Sequence, residues 1–184
     1  GAMPHHVGDP TGDGDNWSAF KSGGVFNAQV AINNAGNYVF TGLTNGFDNV
    51  NHAIAYNGAV VLREGDAPDG VFLSTGSFVA AICINNLNQV AHLWAVPGGA
   101  RHLLVGNGAT LRTSGFRVLS TSDTIDSDGD GVGDWLVDGF NVPGPDAGQG
   151  LDLAEDGFVY VNVNVEPTAG GSPRDAIFRL STGG

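Results

Sequence analysis

Lysine is almost missing from this chain of 184 residues: Lys21 is its single example, and seven basic residues face nineteen acidic ones for a formal charge of −12. That deficit excludes nucleic acid and anionic membrane surfaces as natural partners. Cysteine is limited to Cys83, so no intrachain disulfide forms. An extracellular home stays open, because a core or a bound metal also supplies stability. Glutamate is scarce as well, three residues against sixteen aspartates, and aspartate on short turn-rich chain suits cation-binding loops better than helix faces. No apolar run reaches the length of a membrane span, which argues against membrane insertion. The chain also lacks a G-x-S-x-G elbow, an H-E-x-x-H pair and a glycine loop followed by lysine, which removes the commonest signatures of hydrolases, zinc proteases and nucleotide enzymes.

What is abundant is glycine, thirty residues, together with many asparagines, as expected for tight turns joining short strands. The chain also matches itself. Shifted by 52, residues 17–34 fall on 69–86, with Phe20 on Phe72, Phe26 on Phe78, Ile32 on Ile84 and Asn33-Asn34 on Asn85-Asn86. Shifted by 50, residues 52–65 fall on 102–115, with His52 on His102 and Asn57-Gly58 on Asn107-Gly108. A unit that recurs at this spacing is one supersecondary element that buries its apolar face only against its neighbours. Short strands are predicted at 25–32, 37–42, 53–56 and 59–63, and again at 77–84, 88–95, 102–105 and 109–113. Asn-Gly between the last two strands of each set signals a two-residue hairpin. A third set is traced through 151–165 and 175–180, and it ends where its own hairpin would begin. Either a strand is missing there or the segment near 17–30 supplies it and closes a ring.

The expected fold is therefore all-β, built of repeated four-stranded antiparallel units in a β-propeller-like packing, with a threefold β-trefoil or β-prism as the alternative. The organisation read from the chain is a cloning remnant and acidic N-terminal segment over 1–16, then a single all-β domain over 17–184. Its units run 17–68, 69–118 and 119–184, with an acidic insertion at 121–138. A native signal peptide ahead of the leader GAMPHH would not be visible.

The phrases INNAGNYVFTG (32–42) and VVLREGDAPDG (60–70) resemble a tandem propeller-like repeat of secreted bacterial proteins, with an Asn-rich turn, a Val-x-Phe strand and a closing E-G-D-x-P-x-G element. The match is good over 17–70, fair over 69–118, where Ser114-Gly115-Phe116 replaces the E-G-D element, and poor over 119–184. The resemblance implies an exported or surface-located bacterial protein and no particular reaction.

The most specific chemistry lies in DTIDSDGDGVGDWLVD (123–138). Asp126, Asp128 and Asp130 alternate, Gly131 permits the sharp turn, the Val132 carbonyl falls at the seventh position and Asp134 at the ninth, which is the ligand spacing of a calcium loop. The run is similar to thrombospondin type 3 and dockerin loops. It departs from the EF-hand at the twelfth position, where Val137 replaces a bidentate acid. Asp138 beside it and Asp123 before it are further candidate ligands. Calcium, a hard cation taking six to eight oxygens, suits this set better than magnesium. A second, looser candidate is Asp9, Thr11, Asp13 and Asp15 in DPTGDGDNW (9–17), where disorder is the competing expectation.

His52 and His102, equivalent by the repeat, are expected to share a structural role at a strand start, and His92, aligned with Phe40, to fill a half-buried strand position rather than act as a base. Trp94 is expected in the core. Trp135, in the loop, is the candidate for stacking on a ligand such as a sugar ring. Glu64, Glu155 and Glu166, with the many aspartates, could furnish a carboxylate pair for glycosidic cleavage, but chain position says nothing of their separation. The functional expectation is a calcium-stabilised, secreted or cell-surface module that binds a glycan or surface protein or serves as a scaffold, with homo-oligomers or neighbouring repeats as partners. The alternatives are a carbohydrate-active enzyme using paired carboxylates and a structural segment of a longer surface array.

Overall fold

The structure, a computed structural model, describes residues 5–22, 26–46, 51–141 and 150–182. The start of the first expected strand, Val25, and residues 1–4 of the leader lie outside them. About half the chain is strand, and the one α-helix is a single turn, so the all-β expectation holds. No helix among the described residues is long and apolar enough to cross a membrane.

In chain order the first strands are β1 (Trp17–Ala19), β2 (Lys21–Ser22), β3 (Phe26–Asn27), β4 (Val30–Ile32), β5 (Tyr38–Thr44), β6 (His52–Tyr56) and β7 (Ala59–Arg63). β4–β7 form an antiparallel meander, and β1 pairs with the far end of β5, along the edge that β4 occupies nearer the turn. The β6–β7 connection is the expected hairpin: Asn57 and Gly58 both have positive φ, 48° and 93°. A second sheet holds β8 (Phe78–Ile84), β9 (Gln89–Ala95), β10 (Arg101–Asn107) and β11 (Phe116–Ser120) in plain meander order. The third holds β12 (Thr124–Ile125), β13 (Trp135–Phe140), β14 (Leu151–Leu153), β15 (Phe158–Pro167) and β16 (Arg174–Ser181). There β13 and β14 share one edge of β15 while β16 takes the other.

Apolar side chains dictate how these sheets stack. Val39, Ile54 and Leu62 of the first sheet form one buried cluster with Val79, Val90, Trp94 and Leu104 of the second. The opposite face of the second sheet, with Ala81, Ala91, Leu93, Leu103 and Val105, meets Val159, Val161, Val163 and Val165 of the third. β9 is thus covered on both faces, which is why its sequence reads as an unbroken apolar run around His92. β15 has only one covered face and alternates strictly. Each fully buried Leu, Ile or Val here contributes about 2 kcal/mol of transfer free energy before chain entropy is charged against it. On the outer face of the first sheet, Phe40, Ala53 and Ala55 lie under Trp17, with Phe20 packed beside them. Gly42 makes that possible, since a Cβ there would lie 2.8 Å from the indole ring of Trp17.

Polar turns lock the stack at one end. Asn33 accepts the amides of Ala35 and Asn37 on its side-chain oxygen and donates its side-chain amide to the Asn85 carbonyl at 3.0 Å. Asn85 accepts the amides of Leu87 and Gln89 and donates to the Ala154 carbonyl at 3.1 Å. The next residues echo this, with the Asn34 amide donating to Asn86 Oδ1 and the Asn86 amide to Glu155 Oε1. Each buried asparagine therefore closes its own turn and reaches the next, which satisfies polar groups that would be costly to leave unpaired.

Five expectations need correction. Residues 109–113 are not a strand: Gly108–Thr110 is a 3-10 turn and α1 (Leu111–Ser114) a helical turn, and the fourth strand of this sheet is β11. Asn107 at φ −73° caps that turn through its side chain instead of forming a hairpin, because the longer connection lets Leu111 bury in the core. The two histidines are also out of step, because the β9–β10 connection is shorter than the β5–β6 one. Leu43 pairs with His52, whereas Ala95, 52 residues beyond Leu43, pairs with Arg101, so His102 faces the other side of its sheet. The match of 17–28 to 69–80 is not structural either: β2–β3 is a separate two-stranded ladder, and Phe26 has no place like that of Phe78 in β8. Finally, the N-terminal strand closes no ring, since β1 joins β5 in the first sheet because Trp17 buries against Phe40.

Candidate metal centre

β12 and β13 are a hairpin, with Thr124 opposite Leu136 and Ile125 opposite Trp135, and residues 126–134 are its loop. Three glycines shape that loop. Gly129 and Gly131 take φ of 81° and 88°, a region that side chains rarely adopt, and Gly133 approaches Thr124 so closely that a Cβ would lie 2.7 Å from it. The aspartates then turn inward on the backbone. Asp126 accepts the amides of Gly129 at 2.7 Å and Gly131 at 2.8 Å, Asp128 that of Asp130, and Asp130 that of Val132 at 2.7 Å. The outcome is that carboxylate oxygens of Asp126, Asp128 and Asp130 lie within 4.8 Å of one another. At such separations each pair of like charges repels by about 1 kcal/mol even in water. None of the three has an ion-pair partner among the described residues. An all-oxygen set of three carboxylates in an exposed loop fits a hard divalent cation, with water completing the shell.

The amides of Gly131 and Gly129 hold the Asp126 carboxyl below the usual carboxylate range, and the hydroxyl and amide of Ser127 do the same for Asp134. Both groups are therefore anionic well into acid. Asp134 is turned away from the trio, accepting from the Ser127 hydroxyl at 2.6 Å and amide at 2.7 Å. Val132 is exposed, and its amide serves Asp130. Asp138 is exposed on β13, outside the trio, at the register break between Val137 and Gly139. Asp123 caps the turn after β11: it accepts the Ser120 amide at 2.7 Å and pairs with Arg117 at 3.3 Å. Asp66 does the same for Arg63 in the first sheet, accepting its amide at 2.9 Å, so Asp123 is the counterpart of the E-G-D aspartate.

Trp135 is half-buried against the core of the third sheet, its indole N–H donates to Ser127 at 3.3 Å, and the Arg174 guanidinium lies over its ring at 5.3 Å. A residue with no sequence signal, Thr168, anchors the loop from 35 residues away by donating its hydroxyl to the Gly133 carbonyl at 2.7 Å. Only the crossing of the β15–β16 connection over the loop brings it there.

The second acidic group has its own cation. Arg63 of β7 reaches Asp13 at 3.0 Å and Asp15 at 2.5 Å, and donates to the Thr44 hydroxyl at 2.7 Å. Thr11 is fully buried and its hydroxyl donates to the Asp15 carbonyl, while Asp9 accepts the His6 amide. Asp13 and Asp15 thus fasten the N-terminal segment to the first sheet through Arg63, while the side chains of Asp9 and Thr11 make contacts within the segment. The histidines are structural in setting. Burial lowers His92 to about 3 and His52 to about 4, and burial, with the Arg117 charge, also lowers His102, whose Nδ1 lies 2.7 Å from the Ser120 hydroxyl. Trp94 is fully buried in the core, as expected. The three glutamates are dispersed: Glu64 is buried and accepts the amides of Asn51, His52 and Gly76, Glu155 accepts the Asn86 amide, and Glu166 sits on β15 opposite Leu136. Cys83 is held inert by burial, which pushes its thiol up to about 12. Comparison of the chain with protein-family models, with curated proteins and with solved structures gives no match.

Proposed function

We propose that this chain is a calcium-stabilised, all-β repeat module of an exported or cell-surface bacterial protein, acting as a scaffold or binding unit. The observation that carries the reading is a contrast between two acidic groups. Asp13 and Asp15 are neutralised from within by Arg63, whereas Asp126, Asp128 and Asp130 converge with no basic side chain among the described residues to offset them. Their spacing matches a calcium loop, and calcium binding would remove the repulsion and tie β12–β13 to the β15–β16 connection through Thr168. A propeller-like arrangement is favoured over a trefoil or prism by sheets that pack face to face in chain order. The scaffold role is favoured over a glycosidase by the use of Glu64 and Glu155 as acceptors for backbone amides, while Glu166 stands on β15 opposite Leu136.

The test is calorimetric titration of the chelator-treated protein with calcium and, separately, magnesium. One calcium site, lost in Asp128→Ala, supports the reading. No heat and no shift in melting temperature with calcium would remove the metal from it.

A further inference from the structure

We propose that β16 is a self-pairing edge, and that two copies of this chain join through it about a twofold axis at Ile177. This goes beyond the calcium reading and does not depend on it. In the first two sheets the third strand is flanked on its far side by a fourth, β7 beside β6 and β11 beside β10. β16 is the corresponding strand of the third sheet, and among the described residues it pairs with β15 alone. Its eight residues pair with β15 without a register break, so the strand is straight, and it contains neither the proline nor the bulge by which exposed edges are usually blunted.

Its side chains specify the partner. On the outer face stand Asp175, Ile177 and Arg179, all exposed, with Ile177 at 76 %. In an antiparallel pairing centred on Ile177, that residue meets its own counterpart, Asp175 lies opposite Arg179, and Arg179 lies opposite Asp175. Directly opposed side chains sit about 5 Å apart, so both charge pairs form and the exposed isoleucines cover each other. A pairing centred one residue to either side would set Ile177 against Asp175 or Arg179 with no charge pair, and one centred two residues to either side would set Asp175 against Asp175 or Arg179 against Arg179. A one-residue slip of the strands would turn the outer face inward. The charges that would repel other strands therefore select a second copy in one register, as an isologous twofold contact requires. Arg179 now pairs with Asp156 at 3.3 Å, donates to the Tyr160 hydroxyl at 3.1 Å and lies over the Phe158 ring, and Asp175 accepts from the Asn141 side chain at 2.5 Å. The Arg179–Asp156 bridge is about half exposed at both ends and is the contact that gives way to Asp175 of the second copy.

The experiment is sedimentation velocity across a hundredfold range of protein concentration, with and without calcium so that failure here stays separable from failure of the metal site. The wild type is expected to dimerise. Asp175→Arg is expected to be monomeric at tenfold higher concentration, and the exchange of both charges, Asp175→Arg with Arg179→Asp, to restore the dimer. Ile177→Cys is expected to crosslink to its counterpart on oxidation and Arg174→Cys not to, since only opposed positions lie within disulfide reach. Circular dichroism confirms that each variant is folded. A wild type that stays monomeric throughout, leaving the edge to a strand of another chain, overturns the proposal, as does a dimer indifferent to Asp175→Arg.

Discussion

Asn33 and Asn85 lie 52 residues apart in the chain and share a hydrogen bond, the side-chain amide of the first donating to the carbonyl of the second at 3.0 Å. Asn85 in turn donates to Ala154, 69 residues on, and there the series stops because alanine has no amide to pass forward. These bonds join the turns of the three stacked sheets at the same end.

Replacing Asn33 by Ala removes the acceptor for two turn amides and the donor to Asn85 together. The expected cost is about 2–3 kcal/mol. Asn34→Ala, which keeps the backbone donor to Asn86, is expected to cost less than 1 kcal/mol. Urea denaturation of the two variants checks the difference.

Calcium depletion is expected to lower the melting temperature by several degrees, because a ligand that binds only the folded state stabilises it by mass action. Asp128→Ala and Asp130→Ala should abolish that response while leaving the β signature in circular dichroism. The response should also fade in acid. Asp126, one of the three converging carboxylates, has a folded pKa below the ordinary carboxylate range, so its contribution is present above that range and lost as pH falls through the lowered value. Thermal melts with and without chelator at neutral and strongly acid pH read this out.

His92 supplies a separate acid sensitivity. Its ring is fully buried, both nitrogens lack a hydrogen-bond partner among the described residues, and its pKa falls to about 3. A base depressed in the folded state favours unfolding as pH drops below its unfolded value near 6.5, and by pH 4 the loss reaches about 3 kcal/mol. The place of His92 beside Ile82 in the second sheet is that of Phe40 beside Val30 in the first. His92→Phe is therefore expected to flatten the stability profile between pH 6.5 and 4, leaving the smaller slope due to His52 and His102.

Arg63→Met removes the guanidinium from between Asp13 and Asp15 while keeping most of the stem. Because the three groups are about one-fifth exposed, the expected loss is about 2 kcal/mol, discounted for the water that reaches them. Trp17, pinned by the same segment, should become more exposed, and acrylamide quenching of its fluorescence measures that.

The turns were the most legible part of the fold. Asn57-Gly58 demanded positive φ at two successive residues, and Asn33-Asn34 and Asn85-Asn86 marked equivalent turns, because local backbone geometry selects those residue types directly. Asn107-Gly108 carried the same letters and adopted another conformation, since burial of Leu111 outweighed the local preference. The acidic loop was legible in the alternation of Asp126, Asp128 and Asp130 with glycine, although Asp123 belongs to a turn cap and Asp134 to Ser127. Neither distinction exists in the chain, where all five are simply near one another.

By itself the sequence determined that this is an all-β protein with asparagine turns at a set interval and a cluster of like charge in one loop, because short-range sterics and charge spacing act on neighbouring residues. Which faces meet was decided only in three dimensions. That Arg63 lands between Asp13 and Asp15, that Thr168 anchors Gly133, and that β16 keeps one edge unpaired among the described residues all depend on long-range packing, where burial of apolar surface sets the geometry and polar partners follow.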